Sequence, residues 1–283
     1  MSYLARTLTS SVARIFAGRR DKIELAVLTF SASIISISEL GIAKVFTEIV
    51  VKIDKANSFP YLLMTTFVTL SVLARISHFF QRTKRVNILD RIIKRSDLKN
   101  SENSWNLSLA IEIANILGFL FQILIIHIFL VLLSKKFAAL ILLSSIMTLL
   151  VFNYLAKKQE EFQIEVFRSR FNKKVVSSHS KIFERVRGGE LGALVSGAIA
   201  IISLVLLIWI HQLHWISTSN AIVSFFAVRM LASNLNSLSS SLMRHARAKV
   251  NSSISTVDVT SNSPKHGNLE GWVTRQYSSP IES

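Results

Sequence analysis

The amino-acid sequence predicts an all-α integral membrane protein with six transmembrane helices. Half of its residues are hydrophobic and its mean hydropathy is +0.43. The apolar residues fall in long blocks, which is typical of segments that cross a bilayer. The clearest blocks, residues 113–134 and 137–156, contain no charge and are separated only by Lys135 and Lys136. Each is long enough to cross ~30 Å of hydrocarbon as one helix, so we predict a helical hairpin with both lysines at its turn.

The chain divides into a short N-terminal segment, a membrane domain and a tail. Residues 1–22 are basic and lead into a run too long and too polar for a cleaved signal peptide, so we expect them to stay attached. The membrane domain covers residues 23–250. From residue 251 the sequence turns to Ser, Thr, Asn, Pro and Gly, which predicts a disordered tail over 251–283. The six predicted spans are residues 23–50, 60–80, 113–134, 137–156, 191–210 and 219–243.

The distribution of positive charge predicts the orientation. The formal net charge is +16, and most of the Lys and Arg residues lie in the N-terminal segment, in loops 81–112 and 157–190, and after residue 243. By the positive-inside rule, both termini and these two loops are cytoplasmic. We therefore expect a multi-pass protein of the cell (inner or plasma) membrane. Topology and contact with anionic lipid headgroups account for the charge, so no nucleic-acid partner is expected. The three remaining loops hold only Lys52, Lys55, Lys135 and Lys136.

The two long loops are predicted to form helical arms outside the membrane. Residues 157–190 contain no proline, and no glycine before Gly188, and they keep apolar residues such as Phe162 and Val166 at helical spacing. Spans four and five should therefore continue as helices and meet at a turn near residues 177–180. Spans two and three should form a shorter arm over residues 81–112, with Asp97 or Ser101 as a helix cap at its tip.

Two stretches of the sequence resemble a known transporter family. Residues 36–46 read Ser-Ile-Ser-Glu-Leu-Gly-Ile-Ala-Lys-Val-Phe, and residues 224–234 read Ser-Phe-Phe-Ala-Val-Arg-Met-Leu-Ala-Ser-Asn. They are similar to the Ser-x-Ile-Glu-x-x-x-Ile-x-x-x-x-Pro-Phe and hydrophobic-Arg-hydrophobic-x-Pro-Ser stretches of type I ATP-binding cassette (ABC) exporters, nearest to flippases of lipid-linked oligosaccharides. The resemblance covers roughly residues 23–257, mostly as topology and spacing.

The resemblance implies a transmembrane, or permease, subunit of an exporter or flippase. Six spans are half of the usual twelve, so a homodimer or heterodimer is expected. The sequence contains no G-x-x-x-x-G-K-[ST] phosphate loop, so ATP would be bound and hydrolysed by a separately encoded nucleotide-binding subunit, and this chain would bind no cofactor and be no enzyme. Its loops are shorter than is usual in the family, and spans one and six lack the family's prolines. Candidate ATPase-coupling residues at the loop tips are Asp97, Ser101, Lys173, Lys174, Ser177 and Lys181.

Span six contains the candidate translocation pathway. Arg229 lies about ten residues into the span, where a charge is costly unless it is paired or hydrated. Together with Ser233, Asn236 and Ser240 it forms one polar stripe at helical spacing. The stripe either lines a cavity, or consists of a structural counter-charge and small packing residues. Glu39 in span one is expected to pair with Arg229, with a substrate or proton site as the alternative.

Other polar residues in the spans have structural interpretations. Lys44 and Glu48 are expected to neutralise each other, and Asn115 and Gln122 to form hydrogen bonds between helices. His127 is either a packed hydrogen-bonding residue or a group that titrates near neutral pH. The sequence has no cysteine and its seven histidines are scattered, so neither a metal site nor a catalytic site is expected.

Three hypotheses for the function remain open at this point. The first is the exporter or flippase subunit with a separate ATPase. The second is a degenerate relative that has lost transport and serves as a membrane scaffold or regulator. The third is a secondary transporter or channel-like protein, which is disfavoured because Glu39 is the only carboxylate deep in a span.

Overall fold

The computed structural model describes residues 3–55, 61–95, 103–171 and 177–260, and this part of the chain contains seven α-helices. Six of them are long and apolar enough to span a membrane, as expected for a multi-pass membrane protein. The helices are α1 (Tyr3–Ile15), α2 (Arg19–Lys55), α3 (Tyr61–Arg95), α4 (Asn103–Leu133), α5 (Lys135–Phe171), α6 (Ser178–Gln212) and α7 (Thr218–Thr260).

The six long helices, α2 to α7, contain the six predicted spans in the predicted order, so this part of the fold prediction is confirmed. Pro60 lies outside the described residues, immediately before α3. The C-terminal boundary was predicted too early. Helix α7 continues to Thr260, so residues 251–260 are helical and are not part of a disordered tail.

Helices α4 and α7 lie at the centre of the bundle. Helix α4 packs against α2, α3, α5 and α7, and α7 packs against α2, α4, α5 and α6. The main apolar core between them includes Ile116, Ile123, Leu231 and Leu235. Helix α3 packs chiefly on α2, and only 11% of its most apolar window is buried. Most of α3 therefore faces lipid or a partner.

Contacts between helices define two ends of the bundle. At the short-loop end, where α2, α4 and α6 finish, the Lys44 ammonium donates a hydrogen bond to Asn220 Oδ1 at 3.1 Å. Nearby, the Lys136 ammonium lies 3.8 Å from the centre of the Trp215 ring. At the opposite, basic end, Arg95 of α3 pairs with Glu24 of α2 at 3.1 Å. Successive long helices therefore run in opposite directions, as in the predicted hairpins.

The helical arms extend beyond the apolar spans. Helix α5 has 37 residues, which is about 55 Å at helical rise, so it passes well beyond a ~30 Å hydrocarbon layer. Helix α6 begins at Ser178, and the Ser177 hydroxyl caps it by accepting a hydrogen bond from the Ser180 N–H at 3.1 Å. Residues 178–180, which were predicted to lie in a turn, are therefore helical. The tips of both arms, residues 96–102 and 172–176, lie outside the described residues.

The N-terminal segment is a packed amphipathic helix. Helix α1 contacts α4 and α5 and buries Leu8 and Ile15, and Phe16 follows it into the core at the basic end. Its Arg14 guanidinium donates to the Ser252 carbonyl oxygen of α7 at 3.3 Å. The segment therefore helps to hold the basic end of the bundle together.

Helices α6 and α7 approach each other at a glycine. A Cβ atom built on Gly192 would overlap the Ser239 hydroxyl of α7, and one built on Gly188 would lie 3.5 Å from Met243 Sδ. Gly188, Gly192 and Ser196 recur at four-residue intervals, so they form one small-residue face of α6 on which α7 packs. Small residues at this spacing let helix backbones approach closely in a membrane.

We predict that Gly192→Leu separates α6 from α7. Overpacking of a close contact typically costs about 1–3 kcal/mol, so the thermal unfolding midpoint in nanodiscs should fall. Gly197→Leu is the matched control, because nothing lies within 4 Å of a Cβ atom at Gly197. Equal midpoints for the two variants would show that the α6–α7 contact is not close.

Candidate functional site

The candidate site is the polar stripe on α7, defined as Arg229, Ser233, Asn236 and Ser240. Arg229, Ser233 and Asn236 are exposed at the surface of the chain, and Ser240 is partly buried. Within the described part of the chain, none of these four side chains forms a hydrogen bond or an ion pair. The stripe therefore faces away from the bundle with its hydrogen-bonding capacity unused.

Contacts at both ends of α7 place the stripe within the membrane. Asn220, bonded to Lys44, marks the short-loop end, and Arg244, bonded to Glu112, marks the basic end. At helical rise, Arg229 is about 14 Å from the first marker and about 22 Å from the second. A ~30 Å hydrocarbon layer between these two contacts would contain the guanidinium, and a charged side chain there costs at least about 2.5–3.5 kcal/mol when it faces lipid.

Glu39 does not pair with Arg229 within the chain. Its Oε1 atom lies 3.3 Å from His78 Nε2 of α3, and the two side chains are 42% and 39% exposed. The prediction of an Arg229 partner was wrong within one chain because Glu39 is directed towards α3, whereas Arg229 lies on the outward face of α7. The Glu39–His78 pair is thus a second half-exposed polar group in the membrane part of the protein.

A charged network that the sequence analysis missed joins three helices at the basic end. Glu112 of α4 accepts from Arg244 Nε of α7 at 2.7 Å and from the Asn115 amide at 3.3 Å. The Arg85 guanidinium of α3 donates to Asn115 Oδ1. The Glu112 side chain is only 9% exposed, and among the described residues no other carboxylate bonds to Arg85 or Arg244. The sequence feature that could have indicated this network is the position of Glu112 immediately before the uncharged run 113–134.

Another ion pair, more deeply buried, joins α5 to α7. Lys249 Nζ lies 2.7 Å from Glu160 Oε1, and both side chains are largely buried. Beside them His245 is buried, and its Nε2 forms no hydrogen bond among the described residues. A small cavity between α1, α5 and α7 is lined by both Glu160 and His245. This pair fixes the arm of α5 to the extension of α7.

The structural interpretations of the other membrane-embedded polar residues are confirmed where contacts are described. Lys44 and Glu48 form an ion pair at 3.3 Å. The Gln122 amide donates to the Ala32 carbonyl oxygen at 2.8 Å, and Asn115 joins α4 to α3. His127 is buried, with Nδ1 2.7 Å from the Ile123 carbonyl oxygen and Nε2 3.1 Å from Ser145 Oγ. A carbonyl only accepts, so Nδ1 carries the proton and Nε2 accepts from the serine.

Only two of the six candidate ATPase-coupling residues, Ser177 and Lys181, lie within the described residues. Asp97, Ser101, Lys173 and Lys174 lie outside the described residues. Ser177 is the N-cap of α6, and Lys181 lies in its first turn. In the same stretch of α6, three apolar side chains are each more than half exposed. The sequence analysis did not single them out. These are Ile182, Phe183 and Val186.

Comparison of the sequence with protein-family models and with curated proteins found no match. Over the described ranges, no group of three or more His, Asp and Glu residues could hold a metal ion.

We predict that Glu112→Gln destabilises the basic end. The substitution keeps the shape of the side chain but removes the negative charge next to the partly buried Arg85 and the hydrogen-bonded partner of Arg244, which is 57% exposed. The loss at Arg85 dominates, since a buried group that loses its partner costs about 1–3 kcal/mol. The thermal unfolding midpoint of the protein in nanodiscs measures the loss.

The matched control is Glu161→Gln, since Glu161 is 64% exposed and its pair with Lys157 spans 3.9 Å. Exposed pairs contribute at most ~1 kcal/mol, so this variant should behave like the unmodified protein. Adding Arg244→Met to Glu112→Gln should recover part of the loss. If Glu112→Gln is no worse than the control, the network does not stabilise the bundle.

Proposed function

We propose that the protein is the transmembrane subunit of an ABC-type exporter or flippase, and that it works with a separately encoded ATPase. The observation that carries the proposal is the stripe, which places a guanidinium and three small polar side chains on an outward face of α7 inside the membrane. On a helix that faces lipid, such a face would be energetically unfavourable. A water-filled translocation pathway requires one, because hydration offsets the cost of the charge.

The pathway would be completed by a second transmembrane subunit. The stripe lies on the surface of one chain, so a second subunit is needed to enclose a cavity in front of it. The sparse burial of α3 also leaves room for a partner. We therefore propose that two such subunits assemble in the cell membrane with their stripes facing a shared cavity, and with both termini in the cytoplasm as the charge distribution predicts.

The arms would receive the ATPase. Exposed Ile182, Phe183 and Val186 on the α6 arm lie between basic residues of the same arm, in a stretch predicted to be outside the membrane. Apolar side chains exposed on a rigid helix suit a protein interface, since they gain free energy when a partner covers them. The α5 and α6 tips would therefore dock on a nucleotide-binding subunit.

Two contacts would transmit motion from the arms to the stripe. The Glu160–Lys249 pair ties the α5 arm to α7 at 2.7 Å. The close approach at Gly192 ties α6 to α7 on another side. When ATP-driven closure of the nucleotide-binding subunits moves the arms, α7 must follow, and the access of the stripe switches between the two sides of the membrane. ATP binding would thus bias a two-state equilibrium of the helices.

Affinity purification from native membranes in mild detergent tests the proposal, with mass spectrometry of the bound proteins and an ATPase assay on the eluate. We expect a stoichiometric cassette ATPase whose hydrolysis drives transport. Charge reversal at Lys173 and Lys174, or Phe183→Asp, should uncouple hydrolysis from transport, because both changes lie at the proposed docking surface.

Glu165→Ala on the neighbouring arm is the control, since Glu165 is exposed and forms no recorded contact within the described residues. It should leave coupling unchanged. Purification of the protein alone, without ATPase activity, would contradict the transporter function and favour a membrane scaffold or regulator. Full coupling in the Lys173, Lys174 and Phe183 variants would place the ATPase elsewhere on the chain.

A further inference from the structure

Arg229, which forms no ion pair among the described residues, and Glu39, which pairs there with His78, lie at nearly the same depth of the membrane. The Lys44–Asn220 hydrogen bond fixes the register of α2 against α7. Glu39 lies five residues from Lys44 towards the basic end, about 8 Å at helical rise, and Arg229 lies nine residues from Asn220, about 14 Å. The difference of about 6 Å is within the reach of an arginine side chain, so depth does not prevent the two groups from meeting.

The two groups nevertheless do not meet in one chain. Arg229 forms no ion pair within the described residues, and Glu39 contacts His78 through Oε1. Its other carboxylate oxygen makes no recorded hydrogen bond in the described part of the chain. A half-exposed carboxylate on α2 and an exposed guanidinium on α7 therefore remain available to a partner.

We infer that Glu39 of one copy pairs with Arg229 of a second copy of this chain. This inference rests on the dimer of the proposed function and adds the contact that joins its two halves. A two-fold axis along the membrane normal preserves the depth of every residue, so it brings Glu39 of each copy to the level of Arg229 of the other and forms two identical pairs. The complementary charges favour a second copy as the partner of both groups, because the protein itself supplies the carboxylate and the guanidinium.

The pair would close one end of the pathway. Arg229 is the member of the stripe nearest the short-loop end, and Ser233, Asn236 and Ser240 follow towards the basic end. Two interchain pairs at the level of Arg229 seal the cavity on the short-loop side. The rest of the stripe stays open to the basic end. The contact thus serves as a gate that has to open when access switches.

The absence of cysteine from the chain makes cross-linking a direct test. Two differently tagged full-length copies are co-expressed, one with Glu39→Cys and the other with Arg229→Cys, and the membranes are treated with a short bis-methanethiosulfonate reagent. The Cα atoms of a Glu and an Arg that form an ion pair are farther apart than a disulfide allows. A bifunctional reagent is therefore used to bridge the two cysteines. We expect a cross-linked product that carries both tags.

The matched control combines Glu39→Cys with Ile201→Cys, since Ile201 is 65% exposed and lies on the membrane-spanning part of α6. The Glu39–Arg229 combination should exceed it at least five-fold. If the two tagged copies co-purify but the yields are equal, the contact is wrong and the dimer stands. If the copies do not co-purify, both the contact and the dimer are wrong.

A charge exchange provides a second measurement. Arg229→Glu alone places a carboxylate at position 229 of one copy opposite Glu39 of the other. The two negative charges repel, so co-purification of the tagged copies should fall. Adding Glu39→Arg in the same chain recreates the pair with its charges exchanged, and co-purification should return. Failure of the double variant to recover, in protein that remains monodisperse, would overturn the inference.

Discussion

A charge inside the hydrocarbon layer has to be paired, hydrated or carried to the headgroups, and this constraint organises the polar contacts of the protein. At the basic end, Glu112 satisfies Arg244, and Glu160 satisfies Lys249. Both contacts join α7 to a different helix, so neutralising the charges also fixes the bundle. Arg229 is exposed on α7 and forms no ion pair among the described residues. The proposed pathway rests on this unpaired charge.

The position of α7 connects this face to the rest of the molecule. It contacts α2, α4, α5 and α6, and its outward side holds the stripe. Packed side chains and a buried ion pair therefore connect the α5 and α6 arms to the helix that carries the stripe. In the proposed function, a polar face on one of the two central helices would couple an event at the arms to access within the membrane.

The sequence predicted the six spans and their order because long uncharged runs have few alternatives in water or in lipid. It also predicted the Lys44–Glu48 pair and the Gln122 bond, since both depend on short-range spacing or on a polar group in an apolar helix. It did not predict the partner of Glu39, because that depends on how α2 is rotated against α3. The Glu112 network was missed for the same reason, since it depends on how α3, α4 and α7 pack. The helical continuation to Thr260 was missed because the Ser- and Thr-rich composition after residue 250 favours an irregular tail.

The central claim is that the stripe faces water inside the membrane. Single cysteines placed along α7 of this cysteine-free chain, and treated with a membrane-impermeant thiol reagent, test it most directly. We expect labelling at positions 229, 233, 236 and 240, and none at the buried positions 231, 235 and 238 or at the exposed position 201 of α6. Reaction from the side of the termini only would match a pathway that is closed at the short-loop end. If the stripe is as unreactive as position 201, it faces lipid or a dry interface, and the protein has no pathway along α7.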